Sequence, residues 1–421
     1  MRLLFLAPQP FFQERGTPIA VRLALEVLVQ RSPSIDIDLL VYHEGAEIDL
    51  PGVTIHRIAV PRVLRPFLSG VRPGITLKKL ICDLFFLLYA VRLILISKRN
   101  GDGGYNLIHA VEESVFIALL ARYLWGIPYL YDMDSSLSLQ LTDTWRVLRI
   151  FRPFFSALER IAVRKSAAVV PVCDALAAVA DNAGSPHTCI LRDVSLLDHP
   201  SYQSDCRESL RSCAQIRSDA KVILYVGNLE RYQGIDLALA SFAKVADNHF
   251  DAHLIIIGGA SEHIESYRQV VKTQPSGARM HFLGPRPVAQ LHRLIAEADV
   301  VISPRIVGNN TPMKIYSYLH SGKPLVATAI PSHTQVLTDE VARLCEPNVD
   351  DFAQGLVWAI TNRDEARKMG ERARQLAEER YTFSVFKENL LKLYDMFGEN
   401  WWVKKDPLLS FLTRLGLKQA L

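Results

Sequence analysis

Short apolar runs ended by glycine or a polar turn recur along this chain, and each is followed by a segment with helical spacing. In the first half they are residues 2–7, 37–42, 53–58, 107–110, 129–131 and 168–172. In the second half they are residues 221–227, 253–259 and 324–327, with residues 296–304 running from a helix end into another strand. Uniformly apolar runs, as opposed to alternating ones, predict parallel sheets covered by helices on both faces. Ligands of such sheets bind beyond the carboxyl ends of the strands, where these glycines and polar turns lie.

Two α/β halves of this kind fit within 421 residues. Residues 193–215 are polar, broken by Pro200 and without a sheet period, and are predicted to link the halves. Residues 364–397 carry helical patterns rich in Glu, Arg, Leu and Ala. The expected organisation is a first domain over 1–195, a second over 196–385, and a final helix and tail over 386–421 that pack back on the first domain or on a membrane.

Residues 311–328 read as a turn, a short helix, a glycine stop and a buried strand. Unpaired amides and the helix dipole would make the start of that helix an anion site, with Lys314 in a solvent-facing first turn. Residues 13–18 form a turn before the helical pattern of residues 19–30; Gly16 would let backbone approach a ligand closely, beside Thr17, and Pro18 suits the helix start.

The blocks at 226–236 (Val-Gly-Asn-Leu-Glu-Arg-Tyr-Gln-Gly-Ile-Asp), 256–259 (Ile-Ile-Gly-Gly), 282–285 (Phe-Leu-Gly-Pro), 298–304 (Ala-Asp-Val-Val-Ile-Ser-Pro) and 311–328 follow one another in an order that resembles the family 4 glycosyltransferases. The resemblance covers roughly residues 1 to 395. It implies an α/β fold of the GT-B type, two Rossmann-like domains facing an interdomain cleft. It also implies transfer of a sugar, with retention and without a metal or other cofactor, from a UDP- or GDP-sugar donor. The acceptor would be a glycan or lipid-linked molecule in cell-surface polysaccharide or glycolipid synthesis.

Carried over residue by residue, the family's two donor-binding glutamates fall at Asn309 and Ser317, and its diphosphate-binding arginine and lysine fall at Asn228 and Gln233. All four positions have lost their charge. Arg231, Lys314 and Arg305 remain as candidate phosphate partners, and the backbone of 283–286, with Gly284, as a seat for the base. In the first half, Asp134 stands where the family has a histidine near the donor sugar, and a carboxylate there could support positive character at the anomeric carbon. His109 with Glu112 and Glu113 forms a second polar cluster at the same sheet edge. Asp132 and Asp134 would share a face if their strand continued, which leaves a metal open on geometry. The missing charges also suit a non-catalytic protein that binds a sugar nucleotide or a partner enzyme. An epimerase of the same architecture would need acid and base carboxylates facing the donor sugar.

Charge and composition add limits. With 48 basic and 44 acidic residues and a net charge of +4 there is no aromatic-basic signature for nucleic acid. Six cysteines without CxxC spacing read as reduced thiols. A chain starting on a strand is expected in the cytoplasm. Residues 80–96 are nearly all apolar, interrupted by Asp83 and Arg92 and flanked by Lys78, Lys79, Lys98 and Arg99. This predicts a helix lying on the inner face of the membrane, with a core helix as the alternative. Trp401, Trp402, Lys404 and Lys405 in the tail suit the same interface.

Overall fold

The computed structural model describes residues 1–31, 35–71, 76–99, 103–136, 152–202, 209–247 and 251–397. The tail tryptophans and Cys206 lie outside them. The chain divides into two compact units, one of Met1–Leu191 with Lys387–Leu421, the other of Arg192–Phe386.

Unit 1 holds six strands, β1 (Arg2–Leu6), β2 (Asp36–Val41), β3 (Val53–Arg57), β4 (Leu107–Val111), β5 (Tyr129–Met133) and β6 (Ala168–Pro171). They pair in the order β3-β2-β1-β4-β5-β6, every neighbour parallel. β1 and β4 are buried from end to end except Arg2, as a sheet sandwiched between helices requires. The order turns back between β1 and β4, which makes their carboxyl ends the switch point where this architecture binds ligands.

Unit 2 repeats the plan with β7 (Lys221–Val226), β8 (Ala252–Ile257), β9 (Met280–Gly284), β10 (Val300–Ser303), β11 (Leu325–Thr328) and β12 (Arg343–Cys345). Their order is β12-β11-β10-β7-β8-β9, with the switch point between β7 and β10. β12 has no counterpart in the sequence reading: it is three residues long and only Cys345 is buried.

The Leu77–Arg99 helix is long and apolar enough to cross a membrane by length and composition. Cys82, Phe86, Ala90 and Ile94, however, sit in the unit 1 core. One face therefore belongs to the fold. Leu77, Leu80, Leu84 and Leu88 lie exposed on the other, as do Phe67 and Val63 nearby in sequence.

Within the unit 1 sheet, Asp38 of β2 accepts from Arg2 (3.1 Å) and Tyr105 (2.8 Å) and faces His56 Nε2 at 2.7 Å. Burial pushes its pKa up, but the bonds from His56 and Tyr105 and the charges of His56 and Arg2 bring it below the ordinary carboxylate value. A depressed carboxyl pKa contributes stability above the unfolded value of about 3.9 and loses it as pH falls through the folded value. Asp38→Asn is expected to cost about 1.5–3 kcal/mol in urea unfolding at neutral pH, and the difference from wild type should shrink in acid.

Candidate active site

In unit 2 the expected turn and short helix form, with the helix over Lys314–His320, a left-handed Gly322 (φ +68) after it, and β11 following. The first turn differs from expectation. The Ile315 amide donates to Pro312 (2.9 Å) and the Tyr316 amide to Met313 (3.2 Å), so these two donors are already used.

Lys314 also departs from its expected solvent-facing place. Its Nζ lies 3.9 Å from the centroid of the Tyr225 ring and 3.2 Å from Gln233 Oε1. Burial drives the Lys314 pKa well below the ordinary lysine value, and the charge of Arg305 pushes the same way. Glycine is required beside it: Gly227 has φ +151, and a Cβ there would meet Tyr225 Oη at 3.0 Å and Lys314 Nζ at 3.2 Å. Gly234 (φ +73) would drive a Cβ to 1.8 Å from the Pro304 carbonyl oxygen, so the loops after β7 and β10 close on each other only through these glycines.

Arg305 is 7% exposed and lies over the Tyr232 ring at 5.1 Å. It donates to the carbonyls of Val307 (2.9 Å) and Asn310 (3.0 Å), and its own carbonyl accepts from Thr328. His333, fully buried between Ser303 and Thr328, supports that loop. Among the described residues, no carboxylate lies within ion-pair distance of Lys314 or Arg305. A buried Arg305 and a half-buried Lys314 at the switch point, padded by tyrosine faces and without anions among the described residues, are costly to the fold and complementary to a polyanion.

Other expected donor residues divide between open and occupied. Gln233 is buried and its Oε1 accepts from Lys314 Nζ (3.2 Å), which brings a lysine beside the position where the family pattern has its own. Asn228 is exposed, and its Oδ1 accepts from the Glu230 amide (3.2 Å), closing its own loop. Arg231 is exposed beside it. Asn309 is exposed, its carbonyl accepting from Gln335 (2.7 Å). Gly284 is left-handed (φ +74) and its carbonyl accepts from the Gly258 amide (2.9 Å). Arg286 donates to the Leu283 carbonyl at 2.7 Å and the Pro285 carbonyl at 3.2 Å, occupying backbone expected to meet a base. Ser317 corrects the expectation outright: it is 1% exposed, and its Oγ accepts from the Leu196 amide at 3.2 Å, so it is not presented to a ribose.

In unit 1, Gly16 begins the Gly16–Val29 helix three residues earlier than the pattern predicted, with open space where a Cβ would point and Thr17 half-buried next to it. His109 is fully buried. It stacks on Phe5 with centroids 4.2 Å apart, its Nδ1 lies 2.8 Å from Tyr394 Oη and its Nε2 3.2 Å from Asp132 Oδ2. Both nitrogens are occupied, so His109 is a positioning residue that holds Asp132 and the Phe383–Asp395 helix, against the expectation of a catalytic histidine. The strand ends at Met133, before Asp134. Among the described residues no three His, Cys, Asp or Glu side chains converge as metal ligands.

Glu112, first residue after β4, has φ +50, a left-handed conformation uncommon outside glycine. Burial raises its carboxyl pKa, Asp132 and Asp83 add to that, and Lys79 and a 3.4 Å bond from Ser135 oppose it. Lys79, which the sequence reading treated only as a helix flank, pairs with Glu113 and lies 3.7 Å from Asp83. Its i,i+4 spacing from Asp83 was the available signal.

Residues 207–376 match the family described as glycosyl transferases group 1. The lipopolysaccharide 1,2-N-acetylglucosaminetransferase of Salmonella typhimurium is 24% identical over 48% of this chain and 55% of its own length. A D-inositol 3-phosphate glycosyltransferase of Kribbella flavida is 23% identical over 79% of each. The chain spans about half the length of the first curated relatives it matches. Among solved structures, sucrose-phosphate synthase from Thermosynechococcus elongatus superposes with a TM-score of 0.74 at 17% identity, over 94% of this chain and 98% of that one. Anabaena HepE, solved with UDP-glucose, gives 0.67 at 16% over 94% and 99%. Residues 207–376 are thus similar to the glycosyl transferases group 1, and the two six-stranded parallel sheets form a fold of the GT-B type.

Proposed function

We propose that this glycosyltransferase moves a sugar from a UDP- or GDP-sugar to a glycan or lipid-linked acceptor with retention, without a metal, as the family 4 resemblance implies. The observation that carries the reading is half-buried Lys314 beside buried Arg305, neither with a carboxylate partner among the described residues, at the switch point of unit 2. A diphosphate would supply the missing anions. In the transfer the bond from anomeric carbon to phosphate oxygen breaks and the bond to the acceptor oxygen forms. The acceptor proton passes to the departing phosphate, whose charge Lys314 and Arg305 would hold, with Arg231 reaching it from solvent. That Anabaena HepE was solved with UDP-glucose supports a uridine donor.

The test is calorimetry with UDP, GDP and ADP. An anion beside Lys314 favours its charged form and raises its depressed pKa, so binding should take up protons at pH values between that pKa and about 10.4. Repeating the titration in buffers of different ionisation enthalpy measures the uptake. No binding of any of the three nucleotides would remove the reading. A non-catalytic sugar-nucleotide binder is the second reading, favoured by the sealing of Ser317 against Leu196. Donor binding without transfer or hydrolysis would support it.

We further propose that the enzyme works at the cytoplasmic face of a membrane. Support comes from the exposed Leu80, Leu84 and Leu88 on the Leu77–Arg99 helix, with exposed Arg62, Arg65, Lys78, Lys98 and Arg99 supplying positive charge. Phe86 is core, so the test falls on Leu84→Ser with Leu88→Ser. The wild type should sediment with anionic vesicles, partly reversed by salt. The double variant should stay in solution with unchanged circular dichroism, and equal sedimentation of both would refute the membrane contact.

A further inference from the structure

The helical layer of unit 2 holds a cavity of about 500 Å³ that shares no lining residue with the donor site. Its described lining comes from the Ile235–Asp247 helix, the Val349–Thr361 helix and Asn362 just after the second. From Ile235 to Lys244 the first helix runs roughly 13 Å, which takes the cavity away from the loop carrying Gln233.

Asp350, Gln354, Trp358 and Asn362 recur at every fourth position and so form one row along the second helix. Ser241 Oγ donates to the Val349 carbonyl at 3.1 Å and Lys244 pairs with Asp350, which ties the two helices at the start of that row. The floor is apolar: Ala353 is buried, and Val357 and Trp358 are half-buried against the unit 2 core. The Arg343 guanidinium lies 5.5 Å from the centroid of the Trp358 ring. A ring held by the core and by a cation loses little freedom on meeting a ligand.

The walls are polar. Gln354 and Asn362 are exposed amides, and Asn362 Nδ2 donates to the Trp358 carbonyl and to Thr361 Oγ1, both at 3.1 Å, which leaves its oxygen to accept. The Lys244–Asp350 pair brings no net charge. An aromatic floor under amide and carboxylate walls fits a ligand with one apolar face and a rim of hydroxyls. The volume falls within the range of small-ligand sites, about 300–1,000 Å³. A hexopyranose ring has that character, with C–H groups on its face and hydroxyls around its edge.

We propose that this cavity is a second carbohydrate site, binding a neutral hexopyranose unit of a glycan away from the donor site. Trp358 stacks on the C–H face of the sugar, Gln354 donates to and accepts from its hydroxyls, and Asp350 and Asn362 accept. A transferase acting on a glycan would thereby hold the chain beyond its reacting end, and the linked contact would raise the effective concentration of that end. The binding itself does not depend on the transferase reading.

Saturation-transfer NMR on the full chain tests the site with maltotriose, cellotriose, mannotriose and triacetylchitotriose, each with and without saturating UDP. At least one should bind the wild type, equally with and without UDP and at low and high salt, since no net charge is involved. Trp358→Ala should weaken that binding about tenfold or more. Gln354→Ala, at an exposed position, should weaken it severalfold with an unchanged fold. Trp358→Phe keeps a ring against the core, should bind between wild type and Trp358→Ala, and replaces the alanine variant if circular dichroism shows that one unfolded. No binding by any of the four overturns the proposal, as does binding that Gln354→Ala and Trp358→Phe leave unchanged, or that UDP or high salt abolishes. UDP binding is scored in the same samples: its failure removes the transferase reading and leaves the carbohydrate site to be decided by the trisaccharides alone.

Discussion

Lys314→Met is expected to make the protein more stable and nearly unable to bind its donor. The methionine keeps the packing against Tyr225 but removes an amine whose charged form its surroundings disfavour and which has no anionic partner among the described residues. Replacing a buried charge by an apolar group of similar volume is often neutral or stabilising, so the melting temperature of the ligand-free variant should equal or exceed that of the wild type. The diphosphate, however, would lose a desolvated charged partner, a change that costs about 2–5 kcal/mol, or between about thirtyfold and several thousandfold in affinity. The proton uptake that accompanies nucleotide binding should vanish with it. Calorimetry and thermal melts on the same two proteins check both halves. A variant that binds UDP like the wild type removes Lys314 from the site, and one that melts far lower shows its ammonium to be a structural partner. Arg305→Met should weaken binding less selectively, because its guanidinium also holds the Val307 and Asn310 carbonyls.

Much of the fold was legible because a parallel sheet covered on both faces needs uninterrupted apolar runs, and those are visible one strand at a time. Ten runs marked ten strands to within a residue or two, while β9 and β12 were missed as strands because short, half-exposed edge strands carry no such run. The site was less legible, since its properties come from residues far apart in sequence. Lys314 is drawn from solvent because Tyr225, Gly227 and Gln233, from β7 and the loop after it some eighty residues earlier, close over it. His109 looked like a sheet-edge catalyst from its position after an apolar run. Phe5 and Tyr394, one from each end of the described chain, turn it into a buried strut. Ser317 illustrates the same limit: its residue type suggested a ribose contact, while the chain passing at Leu196 takes its hydroxyl. Asn228 and Gln233 lack the expected charges in the sequence, but only the fold could show that Lys314 lies beside Gln233.

The last large effect is expected at Asp134, the residue just beyond β5 where the family pattern has a histidine. If sugar transfer proceeds with positive character building at the anomeric carbon, a carboxylate there acts more strongly in the transition state than in the ground state. Asp134→Asn keeps the shape and removes the charge. It should therefore lower kcat by about 10²–10³, the size seen when one electrostatic contact to a developing charge is removed, while the affinity for UDP stays near that of the wild type. Equal losses in kcat and in donor affinity would assign Asp134 to ground-state binding instead. Glu112→Gln makes the comparison sharper. Its carboxyl pKa is raised by burial and by Asp132, so at pH values below that raised pKa the group is already neutral and the amide should change little. Above it, the wild type gains a charge the variant lacks, and the two rate profiles should separate with rising pH. Profiles that run parallel across the whole range would place Glu112 outside the reaction, and a wild type that binds donor but neither transfers nor hydrolyses it would move the protein to the non-catalytic reading.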